Sequence, residues 1–256
     1  MARRKIGVMI ESFRLGVRPG IEKAAEVGAD GFQIFCTEGE MHPDNMDAAA
    51  RADFVEFVRA KGLVIAALCA DTGKGFFSKE TNPDQIAFAR KCVDLAVDLG
   101  TDVITTHFGE IPSEPDSERF KLGVAAMTQV GKYAQKKGVR FASETGLEEP
   151  ATKRRFIDAV GIPSVRVNYD PANLVMNRFD HLGGVSILGP YIVHTHAKDG
   201  KLGNGEVALG QGDVDFPKYL AALGAVGFDG FLTIERECGD DPVRDIALAV
   251  EFLRGL

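Results

Sequence analysis

Four segments in the second half of the chain carry side chains that can bind a hard cation or move a proton. They are Glu144 in FASETG, Asp170 in VNYDPAN, His196 in HTHAKDG and Glu235 in LTIERE. Each ends a short β-rich run, and residues along a strand alternate between its two faces. Parity therefore sorts the side chains. Val139, Phe141 and Ser143 oppose Arg140, Ala142 and Glu144; Val165, Val167 and Tyr169 oppose Arg166, Asn168 and Asp170. Leu232 and Ile234 oppose Phe231, Thr233 and Glu235, and His194 shares a face with His196. On each run the more polar set ends in a carboxylate or an imidazole. Three carboxylates brought together repel one another unless positive charge lies between them. One divalent cation resolves that repulsion. Three carboxylates and one imidazole, with a position left open, favour Mn²⁺, with Mg²⁺, Co²⁺ or Zn²⁺ as compatible ions.

A scaffold must deliver these tips to one place. The chain alternates strand candidates with amphipathic stretches from end to end. The strands are Lys5–Ile10, Gly31–Cys36, Leu63–Ala70, Asp102–Phe108, Val139–Glu144, Val165–Asp170, Ile192–Ala197 and Phe231–Glu235. The helical patterns are Pro19–Val27, Asn45–Ala60, Pro83–Leu99, Ser117–Lys136, Pro150–Val160, a broken stretch at Phe179–Leu188, Phe216–Ala225 and Pro242–Leu253. Gly28, Gly62, Gly100, Gly138, Gly161 and Gly227 stand where helices should close in the left-handed conformation. Eight such units without a linker predict an α/β protein: a closed parallel (β/α)8, or TIM, barrel forming a single domain over residues 1–256. A doubly wound sheet would usually carry GxGxxG after its first strand, and Glu11–Gly16 lacks it. In a barrel, catalytic groups lie at the C-terminal strand ends, which is where parity puts the four residues.

Composition narrows the function. At 45% hydrophobic and 26% charged residues, the chain reads as a globular protein. A net charge of -7 argues against a nucleic-acid partner. Lys153, Arg154 and Arg155 form the densest basic run and read as a solvated helix start. Cys36, Cys69, Cys92 and Cys238 form no CxxC pair, which suits free thiols and a cytoplasmic setting. The N-terminal MARRKIGVMIESF has too short an apolar run for a signal peptide, and no stretch is long enough to span a membrane.

The segments FASETG, VNYDPAN, HTHAKDG, ALGQGDVDF and LTIERE, in this order and spacing, resemble the sugar isomerase/epimerase family of xylose-isomerase-like barrels. The resemblance implies one divalent metal held by Glu144, Asp170, His196 and Glu235, a small-molecule sugar as substrate, and a homo-oligomer. In the ketose 3-epimerases of that family the two glutamates also move the proton, which would make Glu144 and Glu235 the catalytic pair here. The chemistry is coherent. A metal across the ketone and neighbouring hydroxyl oxygens stabilises an enediolate, and a carboxylate on one face removes the proton. Return from the opposite face gives epimerisation, whereas return to the adjacent carbon gives isomerisation. A lyase or dehydratase acting on a keto-sugar or polyol derivative would use the same proton abstraction with a leaving group. A non-catalytic sugar-binding barrel would need neither glutamate.

His107 in ITTHFGE and Lys198 in HTHAKDG have the parity to face the substrate. Glu38 and His42 in TEGEMHP, and Glu206 in the glycine-rich GKLGNGEVALGQGDVDF, are loop candidates for substrate contact. That loop lacks the GK[ST] ending of a phosphate cradle. His194 reads as a supporting group one layer deeper, and Arg140 and Arg166 as charges at the bottom of the barrel. A three-metal abasic-site endonuclease resembles the chain at His107, Glu144, Asp170, His196 and Glu235. It departs where further histidines are needed, since Asn173, Asn204, Glu206 and Cys69 stand near those positions.

Overall fold

The computed structural model describes residues 3–256; Met1 and Ala2, which open the N-terminal segment read above, lie outside the described residues. Eight parallel strands close into a barrel. They are β1 (Lys5–Met9), β2 (Gly31–Phe35), β3 (Val64–Cys69), β4 (Val103–Thr106), β5 (Arg140–Glu144), β6 (Val165–Tyr169), β7 (Ile192–Ala197) and β10 (Phe231–Ile234). Between the last two, β8 (Asp199–Gly200) and β9 (Glu206–Val207) form a small antiparallel pair in the loop after β7. The helices are α1 (Val17–Glu26), α2 (Ala48–Ala60), α3 (Asn82–Leu99), α4 (Glu118–Lys137), α5 (Pro150–Val160), α6 (Pro171–Met176), α7 (His181–Leu188), α8 (Phe216–Ala225) and α9 (Pro242–Gly255). None is long and apolar enough to cross a membrane among the described residues.

All six glycines expected to close helices have positive φ, from 64° at Gly161 to 81° at Gly28. Side-chain oxygens cap several helix starts: Asp47, Ser117, Asp170, Asp180, Asp215 and Asp241 each accept from a first-turn backbone N–H. The broken stretch expected at Phe179–Leu188 is α7 preceded by a separate short helix, α6, which starts directly after Asp170.

The two faces of the sheet differ in kind. Outward side chains such as Ile6, Val8, Phe32, Ile34, Phe141, Val167, Ile234 and Tyr169 are buried against the helices. Phe108, next to His107, packs among Phe76, Phe141 and Phe156 at 6.0–6.3 Å between ring centres, which anchors the end of β4. The inward face is polar and hydrogen-bonded in layers. In the lower layer Thr233 Oγ1 meets His194 Nε2 at 2.9 Å. Gly7 faces Thr233 so closely that a Cβ there would come within 2.8 Å of its hydroxyl. Gln33, Thr105, Asn168 and His196 form the next layer. Buried polar groups of this kind are tolerable only when partnered, and their partners fix the rotamers of the layer above.

Candidate metal centre and active site

The strand ends bring Glu144, Asp170, His196 and Glu235 together. Their ligand atoms all lie within 4.8 Å of one another. His196 Nδ1 is 3.4 Å from Glu144 Oε1, 3.6 Å from Asp170 Oδ2 and 3.3 Å from Glu235 Oε2. Donors about 2.1 Å from a shared ion stand roughly 3–4 Å apart, so the spacing suits one divalent cation. Two further observations support the fit. Asp170 Oδ2 and His196 Nδ1 are buried and have no hydrogen-bond partner in the protein. Asp170 divides its oxygens: Oδ1 caps α6 by accepting from Asn173 N at 2.9 Å, and Oδ2 is left for the cluster.

A relay across the barrel presents the lone pair of His196. Thr105 Oγ1 donates to Leu68 O at 3.4 Å and accepts from Gln33 Nε2 at 3.1 Å, which turns Gln33 Oε1 towards His196. His196 Nε2 lies 3.2 Å from that oxygen, with Asn168 Nδ2 3.1 Å away on the same nitrogen. With its proton on Nε2 towards Gln33, the neutral imidazole would present Nδ1 as an acceptor to an ion among the carboxylates, as metal ligation requires.

The two glutamates have different surroundings. Glu144 accepts from Asn168 Nδ2 at 3.2 Å on one oxygen and from Asn173 Nδ2 at 2.9 Å on the other. Glu235 accepts from Lys198 Nζ at 2.9 Å, and the same ammonium pairs with Glu237. Burial alone would raise both carboxyls, but the imidazole of His196, with His107 beside Glu144 and Lys198 beside Glu235, holds them below the usual range. Burial pushes Asp170 up. Burial would lower His196, yet Glu144 and Glu235 hold it well above the ordinary imidazole range. The three carboxylates thus demand positive charge. Among the protein's own groups that demand falls on a proton at His196; a divalent ion meets it with the imidazole neutral.

A cavity of about 240 Å³ opens over the cluster, lined by His107, Glu144, Leu147, Asn173, Lys198 and Glu235 among others. His107 and Lys198, expected as substrate contacts, both line it. Glu38 lines a different cavity of about 700 Å³, with Ile10, Glu11, Arg14, Phe35 and Met41. His42 stacks on Phe88 at 5.5 Å. Glu206 does not line the cavity over the cluster. It pairs with Arg236 and accepts from Glu237 N at 3.0 Å, which ties the loop after β7 to the loop after β10.

Several residues of the site escaped the sequence reading. Gln33 is a lone polar residue in GFQIF, and its parity could have exposed it. Asp71 lies two residues beyond Cys69, which pairs in register with Thr105, so Asp71 has the parity of His107. Asp199 accepts backbone N–H groups from Gly200, Gly210, Gly212 and Val214, and so organises the glycine-rich loop. Lys153 corrects an expectation: far from being solvated, it is 2% exposed. Its ammonium donates to Ser143 Oγ at 2.8 Å and Glu144 O at 2.6 Å, and lies 2.7 Å from Glu148 Oε1. It therefore braces the strand end that carries Glu144.

The comparisons agree with this architecture. Residues 21–256 match the family model described as xylose isomerase-like TIM barrel. An L-ribulose 3-epimerase from Methylomonas sp. (strain DH-1) is 26% identical over 239 residues, 86% of this chain and 78% of that protein. The crystal structure of a xylose isomerase domain protein from Planctomyces limnophilus superposes with a TM-score of 0.87 at 27% identity, covering 99% of this chain and 97% of the other. A probable 3-DHS dehydratase from Bacillus anthracis has the same fold, with a TM-score of 0.79 at 17% identity over 97% of this chain and 98% of its own. With a closed eight-stranded barrel and a family match across most of its length, the chain belongs to the xylose isomerase-like TIM barrel family.

Proposed function

We propose that the chain is a divalent-metal-dependent ketose isomerase or epimerase that works by proton abstraction next to a carbonyl. The observation that carries this reading is the placing of two glutamates. Glu144 and Glu235 approach His196 Nδ1 to 3.4 and 3.3 Å from strands that β6 and β7 separate in the barrel. They can therefore flank a sugar bound above the cluster, and their different partners suit different roles. The substrate class follows the L-ribulose 3-epimerase relative.

Glu144, Asp170, His196 and Glu235 would hold the ion, with Mn²⁺ as the first choice and Mg²⁺, Co²⁺ or Zn²⁺ as alternatives. When bound it would act as a Lewis acid for the oxygen that gains negative charge as the proton leaves. Glu144 and Glu235 are the acid/base pair: one takes the proton from carbon, and the other, on the opposite face, returns one, which inverts the centre. Return by a single glutamate to the adjacent carbon would give isomerisation instead. His107 and Lys198 line the cavity as donors to sugar oxygens. The free cysteines, three of them buried, support a cytoplasmic setting.

Deuterium wash-in tests this reading. The Mn²⁺-loaded protein in ²H₂O should incorporate label next to the carbonyl of L-ribulose or another ketose in a panel, and Glu144→Gln and Glu235→Gln should each abolish it. Full exchange in either variant removes that glutamate from proton transfer. Label incorporation accompanied by loss of water would replace isomerisation with elimination, and no exchange with any ketose would overturn the proposal.

A further inference from the structure

We infer that Asp71 is a positioning residue, which fixes the ring of His107 so that its Nε2 faces a substrate oxygen above Glu144. The inference rests on the reaction proposed above and adds a residue to it. His107 Nδ1 meets Asp71 Oδ2 at 2.6 Å, while Nε2 on the far side of the ring lies 3.8 Å from Glu144 Oε1. The ring therefore has one edge against a fixed carboxylate and the other towards the cavity that Glu144 lines. Since ionised Asp71 only accepts, it holds the proton on Nδ1. With Nδ1 held against Asp71, Nε2 faces the cavity and is the ring atom that a substrate oxygen meets.

Asp71 is itself held. Its Oδ1 accepts from Gly73 N at 2.8 Å, and Gly73 has φ +73°. The loop that follows is pinned to the end of β4, where Phe76 N donates to Phe108 O at 2.8 Å. At Gly75, with φ +62°, a Cβ would come within 2.6 Å of that same carbonyl, so the close approach depends on glycine. Phe108 in turn is locked among aromatic rings. Asp71 and His107 thus come from adjacent strand ends whose loops are fastened together. Asp71 does not line the cavity, so its effect must pass through the ring. A polar group fixed in place before the substrate arrives needs no reorganisation during reaction, which is what gives such placement its catalytic effect.

The test compares Asp71→Asn, His107→Gln and the double variant, all loaded with Mn²⁺, with L-ribulose and the ketose panel as probes. Asp71→Asn should lower kcat on the order of 100-fold with KM and Mn²⁺ affinity little changed, as expected for lost orientation. The double variant should be no slower than His107→Gln alone, because the two residues act as one unit. Nitrogen-15 spectra of the imidazoles, which need no substrate, should show the His107 Nδ1 proton held in the parent protein and mobile in Asp71→Asn. Wild-type kcat in Asp71→Asn, losses that multiply in the double variant, or an unchanged His107 spectrum would overturn the assignment. A parent protein that exchanges no ketose would instead overturn the proposed reaction, and the substrate role of His107 with it.

Discussion

Replacing Lys153 with methionine should destabilise the barrel far more than its place in a basic run suggests. The ammonium is 2% exposed and has three oxygen neighbours at 2.6–2.8 Å, one of them the carboxylate of Glu148, itself 7% exposed. Lys153→Met leaves that carboxylate buried without its cation, and breaking a buried ion pair from one side costs about 3–5 kcal/mol. Against a total stability of ~5–15 kcal/mol for a folded domain, the loss would be large. Removing both charges, as in Lys153→Met with Glu148→Leu, should recover most of it, since apolar packing can replace a buried pair at little net cost. Urea unfolding of the metal-free protein checks this: the midpoint should fall in the single variant and largely return in the double, with the slope unchanged. The reasoning is refuted if Lys153→Met unfolds within ~0.5 kcal/mol of the parent, or if the double variant is no more stable than the single.

Metal addition should raise the melting temperature. An ion at ~100 times its dissociation constant adds about 2.7 kcal/mol, or roughly 5–11 °C at ~2–4 °C per kcal/mol; His196→Ala should erase the shift in a Mn²⁺ thermal titration. Gln33→Leu should weaken Mn²⁺ binding about 10–100-fold, as loss of a ligand-orienting partner does, measurable by calorimetry; unchanged affinity would show that the relay does not set the tautomer of His196. In the metal-free protein burial works to lower His107, but the carboxylates of Glu144 and Asp71 outweigh it and push the imidazole up to about 9. Its stabilising contribution is therefore complete below the unfolded value of about 6.5 and is lost as pH rises to about 9. Denaturation between these pH values should show a falling stability in the parent that His107→Gln lacks; parallel curves would refute the sign. Asp199→Ala strips the acceptor from four backbone N–H groups, so limited proteolysis should cut between residues 200 and 215 sooner than in the parent.

The sequence made the barrel legible because its signals are local. Alternation along Val139–Glu144 and Val165–Asp170 separates the helix-facing residues from the inward ones, and Gly100 or Gly138 closes a helix by a backbone conformation that needs no distant partner. The convergence of Glu144, Asp170, His196 and Glu235 was legible for the same reason, since each comes from the end of its own strand. What escaped depends on contacts between different elements, which alternation along one strand does not reveal. Lys153 looked like surface charge until Ser143 and Glu148 were seen around it. Glu206 looked available to a substrate, but Arg236, 30 residues on, occupies its carboxylate. Gln33 gains meaning only from His196, 163 positions away.

Asp170 spends one carboxylate oxygen on starting a helix and leaves the other for the cluster. Truncating it to alanine would therefore confound two losses, a frayed first turn of α6 and a missing donor, in one measurement. Asparagine keeps a side-chain oxygen for the turn while giving up the charge, so comparing the two replacements would separate the architectural duty of this residue from its chemical one.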